Sequence, residues 1–399
     1  MVSIAERLRE RAGVLGPAFV AAIAYVDPGN VATNTQAGAH YGYLLVWVVV
    51  AANAMAGLVQ YLSAKLGLVT GRSLPELLGE RLPRGTRLLY WAQAELVAVA
   101  TDLAEVVGGA IALRILFGLP LLLGGIVTGA VSAALLAVQN RAGQRPFERV
   151  ITGLLLVIAV GFVAGLFVSP PSPIEVLQGL VPRFQGTDSV LLAAGMLGAT
   201  VMPHVVYLHS ALARDRFGAD KSQLKATKTD VGLAMMLAGT VNLAMVLLAA
   251  TALRGRTDGS SLDGVQAAIG DALGGGIAVL FAVGLLASGL ASTSVGCYAG
   301  AVVMDGLLHR RIPLLARRLA TLLPAIVVLA VGADPTKALV LSQVVLSFGI
   351  PFALIPLVVF TARRTVMGES ANRPTTTALA ALIAGVVIAL NVALAILTA

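Results

Sequence analysis

Charge is what this sequence has least of. Asp, Glu, Lys and Arg make up 12% of the residues while 58% are hydrophobic, against about 25% charged in soluble domains. That balance excludes an ordinary soluble fold and makes the chain a polytopic membrane protein. Cysteine occurs once, at Cys297, and no Cys/His group has zinc-finger spacing, so intramolecular disulfides and structural zinc play no part. A Gly-x-x-x-x-Gly-Lys-Ser/Thr phosphate loop is missing, as is a His-Glu-x-x-His pair. Any driving energy must therefore come from ion gradients or membrane potential, and a metalloenzyme is disfavoured. The net charge of +8 does not call for nucleic acid, because the basic residues fall in short segments between apolar runs, where orientation signals belong. Neither an obligate protein partner nor a permanently bound cofactor is implied.

What is present is a series of apolar runs of bilayer length. After a short basic lead-in, Ser3 to Arg11, the first begins near Val14; others follow at about 44–67, 87–113, 120–139, 150–168, 188–212, 230–253, 272–303, 317–333, 337–361 and 376–398. Together they predict an all-α protein of eleven transmembrane helices. The first run contains Asp27 and no clear small-residue cleavage site, so it is expected to stay in the mature chain rather than leave as a signal peptide. With the amino terminus in the cytoplasm, all 28 basic residues fall inside except Arg114, Arg183, Arg254, Arg256 and Lys337, and the carboxyl terminus lies outside. The multi-pass chain is thereby placed in the cell (cytoplasmic) membrane. The loops are short, and the Ser169–Asp188 connection is rich in proline, so one transmembrane domain is expected to fill residues 1–399.

The first run is broken by Asp27-Pro28-Gly29-Asn30. Proline lacks an amide hydrogen and glycine is conformationally loose, so a helix passing here unwinds and frees carbonyl oxygens beside Asp27 and Asn30. Such groups survive at membrane depth only where they line a protein or water cavity, which points to a binding site for a cation. A second break, Gly198-Ala199-Thr200-Val201-Met202-Pro203-His204, interrupts the sixth run. Either alone is an ordinary proline kink. As a pair in corresponding positions, they indicate a midplane site in a five-plus-five inverted-repeat transporter, with repeats at about 14–168 and 188–361 and an added helix at about 376–398.

These residues resemble the signature of Nramp divalent-metal transporters. The likeness extends to Thr101-Asp102-Leu103-Ala104-Glu105, Tyr207-Leu208-His209-Ser210, Ser288-Gly289-Leu290 and Ser342-Gln343, and covers essentially the whole chain. It implies a leucine-transporter-type fold with broken helices 1 and 6, and proton-coupled uptake of Mn²⁺ or Fe²⁺, with Co²⁺ and Cd²⁺ also accepted. It further implies Gln343 as an occasional extra ligand oxygen.

Asp27 offers a full charge, Asn30 a carbonyl oxygen and the unwound backbone near Ala199 another, a set that would suit any hard divalent cation. Met202 shifts the balance, because a thioether binds Mg²⁺ and Ca²⁺ poorly while Mn²⁺, Fe²⁺, Co²⁺ and Cd²⁺ tolerate or prefer some sulfur. Its plain alternative is core packing. For the proton, the third run carries Glu95, Asp102 and Glu105 on one helical face, Asp102 about 20° and Glu105 about 80° round from Glu95. Aligned intramembrane acids suggest a relay that includes Asp27, with Arg317 and Arg318 as possible charge partners or as mere orientation markers. His204, beside the second break, suits a place next to the metal rather than on it, or a part in proton movement, and His209 a weaker version of either. The small residues Ala287 to Ser294 read as close helix packing, while Asn53, Gln60 and Asn242 either line the ion route or link helices. An amino-acid or amine transporter of the same fold, and a channel, remain as alternatives.

Overall fold

Backbone groups in hydrocarbon must be bonded within their own segment, so apolar runs of this kind become helices. The computed structural model describes residues 16–254 and 262–398; Val14, the lead-in with Arg7, Arg9 and Arg11, and Arg256 lie outside the described residues. Among the described residues every regular element is helical.

The first crossing is split into α1 (Pro17–Ile23), a 3₁₀ turn (Ala24–Val26) and α2 (Pro28–Tyr41). Next come α3 (Val46–Thr70), the short α4 (Leu74–Arg81), and α5 (Arg84–Phe117), which carries the three aligned acids. Then follow α6 (Leu121–Ala142), α7 (Gln144–Val168) and the short α8 (Pro173–Gly179). The second half opens on another split crossing, α9 (Gly186–Thr200) and α10 (Pro203–Phe217), followed by α11 (Leu224–Ala252) and α12 (Leu262–Leu273). The chain closes with α13 (Gly275–Leu308), α14 (Leu314–Ala330), α15 (Pro335–Ala362), the single turn α16 (Arg364–Met367) and α17 (Pro374–Thr398).

Nine helical stretches of the described residues are long and apolar enough to cross a membrane, with 186–217 counted as one. Two of the eleven expected crossings are not among them. The first is interrupted, so that only Pro17–Val26 is a continuous apolar stretch. The other is α14, which is 17 residues long and holds Pro324. The run expected at 272–303 is divided near its start, where Gly274 at φ 93° separates α12 from α13. Arg317 and Arg318, counted above with the cytoplasmic loops, are instead buried at 3% and 1% exposure. Long guanidinium side chains at the start of α14 reach inward to acids rather than outward to water.

The packing centres on the split helices. α13 runs along both α5 and α7, α2 along α11, and α10 along α3. Gly108 of α5 permits a close approach to the first break, since a Cβ there would strike the ring of Pro28. At the membrane edge, Ser73 and Glu76 form a reciprocal cap at the start of α4. Burial raises the Glu76 carboxyl, but the Ser73 backbone N–H and the Arg214 guanidinium outweigh it and hold the group below the usual carboxylate range.

Candidate metal site

The two breaks meet. Asp27 leaves the helical conformation at φ −70°, ψ 168° and becomes the N-cap of α2. Its Oδ1 accepts from the Asn30 backbone N–H at 2.8 Å and from Asn30 Nδ2 at 2.7 Å, so the carboxylate satisfies one of the donors that every helix start leaves open. The Asn30 Nδ2 also donates to the Ala199 carbonyl at 2.9 Å, and Thr200 Oγ1 donates to Asn30 Oδ1 at 3.3 Å. One amide therefore ties the carboxylate of the first break to the backbone of the second. Asp27 Oδ2 is buried without a hydrogen-bond partner, as are both amide atoms of Gln343. The Gln343 amide sits directly over Gly29, where a Cβ would collide with it and would lie 3.1 Å from Asp27 Oδ2. Met202 is the N-cap of α10 and fully buried.

The unwound turn would otherwise orphan carbonyls at depth, and three polar side chains prevent it. Asn242 Nδ2 donates to Tyr25 O at 2.6 Å and Ser288 Oγ to Val26 O at 2.6 Å. Asn34 Nδ2 in turn donates to Asn242 Oδ1 at 2.7 Å. Ser288 was read from sequence as packing alone; its hydroxyl is instead a cap on the break. Nothing local marked it, because its partner is 262 residues away. Asn242 and Gln60 were left between two roles, and both bond other helices, Gln60 by donating to the Tyr25 hydroxyl.

The acids of α5 share the face expected of them but differ in partners. Both oxygens of Glu95 accept from Arg317 Nη2 at 2.9 Å. Asp102 is held by Arg318 Nη1 through both oxygens and by the Thr293 hydroxyl. Contact between these arginines and the acids, which sequence could not show, is direct. Glu105 is fully buried, and neither oxygen has a hydrogen-bond partner. It packs against Gly296 of α13 and lies within electrostatic reach of Asp102 and Asp27. His204 meets α5 at Thr101, its Nδ1 3.5 Å from Thr101 Oγ1 and its Nε2 unpartnered. His209 points elsewhere, its Nδ1 bonding Gln60 Oε1 at 2.7 Å, so a chain runs from His209 through Gln60 to Tyr25 beneath the break.

A cavity of about 440 Å³ opens between α2, α9 and α15 and is lined by Thr33, His40, Asp188, Gly198, Gln343 and Ser347 among others. At their far ends the split-helix segments α1 and α10 are tied to α11 and α7. Asp230 accepts from the backbone N–H of Gly16 at 3.1 Å and of Ala18 at 3.0 Å, and Arg216 pairs with Glu148 at 3.7 Å. Asp230 was missed in sequence because it reads as one more acid near a helix end. Among the described residues no three His, Cys, Asp or Glu side chains gather as a metal cluster; the donors assembled at the breaks carry one carboxylate, with the rest amide, carbonyl and thioether.

Known proteins resemble the chain over most of its length. A family model described as natural resistance-associated macrophage protein-like, Nramp, covers residues 18–397. The divalent metal cation transporter MntH of Mycobacterium tuberculosis (strain ATCC 25618 / H37Rv) is 64% identical over 391 residues, 96% of this chain and 91% of that protein. MntH of Deinococcus radiodurans is 49% identical over 384 residues, 94% and 88% of the two chains. The crystal structure of the Eremococcus coleocola manganese transporter, in complex with an aromatic bis-isothiourea substituted compound, superposes with a TM-score of 0.87 at 31% identity, covering 96% and 86%. The nucleobase-cation-symport-1 transporter MHP1, at 16% identity and a TM-score of 0.59 over 96% and 89%, shares the fold alone.

Proposed function

The chain belongs to the Nramp family, and on that premise we propose that it imports divalent transition-metal ions, Mn²⁺ or Fe²⁺ foremost, together with protons by alternating access. The observation that carries this reading is the meeting of two broken helices at Asp27, Asn30 and the Ala199 carbonyl, beside a cavity that Gln343 also lines. Related proteins named manganese or divalent metal cation transporters support the same substrate class.

In this reading Asp27 supplies the charge that offsets the ion's dehydration, Asn30 and Ala199 supply oxygens, and Met202 supplies the soft donor. The Asn30 amide nitrogen now occupies the space between Asp27 Oδ1 and Ala199 O. Loading a cation there requires the amide to turn so that Oδ1 faces the gap, since an N–H cannot ligate a metal. Gln343, unpartnered beside Asp27, is the fifth donor. The helix ends agree: α9 directs its carbonyl terminus at the gap, which favours a cation, while the N-terminus of α2 is countered by Asp27.

Glu105, fully buried and within electrostatic reach of Asp27, takes the proton, with Asp102, Arg318, Glu95 and Arg317 continuing along α5 and α14, and His204 joining them to the second break. Residues of about 14–168 and 188–361 form the two repeats, with α17 added. The amino terminus lies in the cytoplasm and the carboxyl terminus outside, so the cavity holding His40 and Asp188 faces the exterior. Radioactive manganese uptake into proteoliposomes, run beside alanine uptake, tests the reading. Saturable Mn²⁺ entry that acidifies the lumen, and that Asp27→Ala abolishes in correctly folded protein, is the expected result. Alanine uptake without manganese uptake, or normal low-micromolar Mn²⁺ uptake by Asp27→Ala, overturns it.

A further inference from the structure

The outward cavity has more chemistry than a water-filled funnel needs. Thr33, Gln36 and His40 line it from α2, and their spacing of three and four residues sets them on one helical face, a turn apart. Across the space, at the start of α9, stands Asp188, the only acid among the lining residues. Its charge reaches Tyr41, the neighbour of His40. At the floor is Gln343, whose unpartnered amide borders Asp27. Polar groups thus descend from His40 and Asp188 at the mouth, past Thr33, to the breaks.

Resting on the transport reading, we infer that the mouth of this cavity is a separate, weak site for a partly hydrated divalent transition-metal ion, with His40 and Asp188 as its ligands. An imidazole nitrogen with one carboxylate oxygen suits Mn²⁺, Fe²⁺, Co²⁺ and Cd²⁺, whereas Ca²⁺ and Mg²⁺ gain only one hard donor. Two ligands leave most of the hydration shell in place. The ion is therefore collected and released rather than held, and dehydration is deferred to the gap at Asp27. The site adds a nitrogen-based preference before the thioether of Met202 is reached, and the carboxylate raises the local cation concentration. Both side chains are exposed, so replacing them leaves the packed core untouched.

The test has two arms. In proteoliposomes, His40→Ala and Asp188→Asn should each raise the Mn²⁺ concentration for half-maximal uptake by about threefold or more. In purified Asp27→Ala protein, electron paramagnetic resonance should still detect one weakly bound Mn²⁺, and that signal should vanish when His40→Ala is added. Half-saturation like wild type in both variants overturns the inference, as does bound Mn²⁺ indifferent to His40→Ala. A shift in Asp188→Asn alone overturns it too, since that is surface charge without ligation. If wild-type protein fails to carry Mn²⁺, the transport reading falls, and the resonance arm still decides the mouth site by itself.

Discussion

Asn30 touches both halves of the site, and its amide shows how single residues here do two jobs. It joins Asp27 to Ala199 in the present state, and under the proposed function it turns to admit a cation, which would make binding a rearrangement of existing bonds. Met202 stands apart because its proposed part is selectivity without charge. Met202→Ala should leave Mn²⁺ uptake measurable, weaken Cd²⁺ binding most, and let Ca²⁺ compete better, as competition uptake will read. Unchanged calcium exclusion with unchanged cadmium affinity would make the thioether packing material. The acids of α5 divide in the same way. Asp102→Asn strands the buried Arg318 guanidinium, and breaking such a pair costs about 3–5 kcal/mol, so that variant should melt early and report little about protons. Glu105→Gln replaces a fully buried carboxyl with its neutral isostere. It should fold, keep Mn²⁺ entry, and lose lumen acidification; wild-type acidification would assign Glu105 a structural role. Residue identity was legible in sequence where it broke an apolar run, as at Asp27 and Met202. Which acid was paired was not legible, because pairing depends on α14 folding back 216 residues later.

At the scale of elements, the split helices exist because proline denies a hydrogen bond and other helices accept the consequence. The 3₁₀ turn Ala24–Val26 ends against α11 and α13, where Asn242 and Ser288 bond its carbonyls. Ser288→Ala should leave Val26 O buried without a donor, at a cost of about 1–3 kcal/mol. A lowered thermal midpoint in detergent, with reduced uptake, is the expected outcome. A midpoint equal to wild type would mean that water or a local shift satisfies the carbonyl and that α13 only packs there. The close approach of Pro28 to Gly108 adds that α5 is fitted to the break as well as to the proposed proton route.

For the whole molecule, we read the cavity as one state of the proposed alternating cycle, and the distribution of basic residues gives the proposed direction. In a Cys297→Ser background, a cysteine placed at Asp188 should react with a membrane-impermeant maleimide in intact cells, and one placed at Arg145 should react only after lysis. The reverse pattern would invert the proposed import direction. Even after Arg317 and Arg318 are withdrawn from the loops as buried ion-pair members, Arg81, Arg84, Arg141, Arg145 and Arg149 keep the asymmetry on the same side.

Membrane class, helix positions and the two breaks were determined by the sequence itself, since hydropathy over a bilayer's length and the missing amide hydrogen of proline act locally, whatever packs around them. Where those runs stop being simple helices is equally local, as Asp27-Pro28 and Met202-Pro203 show. Only the tertiary structure decided which polar side chains meet the freed carbonyls, which acids are neutralised by arginine, and that Arg317 and Arg318 turn inward. Those contacts join residues more than 200 positions apart. In hydrocarbon an unmet polar group is too costly to leave, but a sequence states the need without naming the partner.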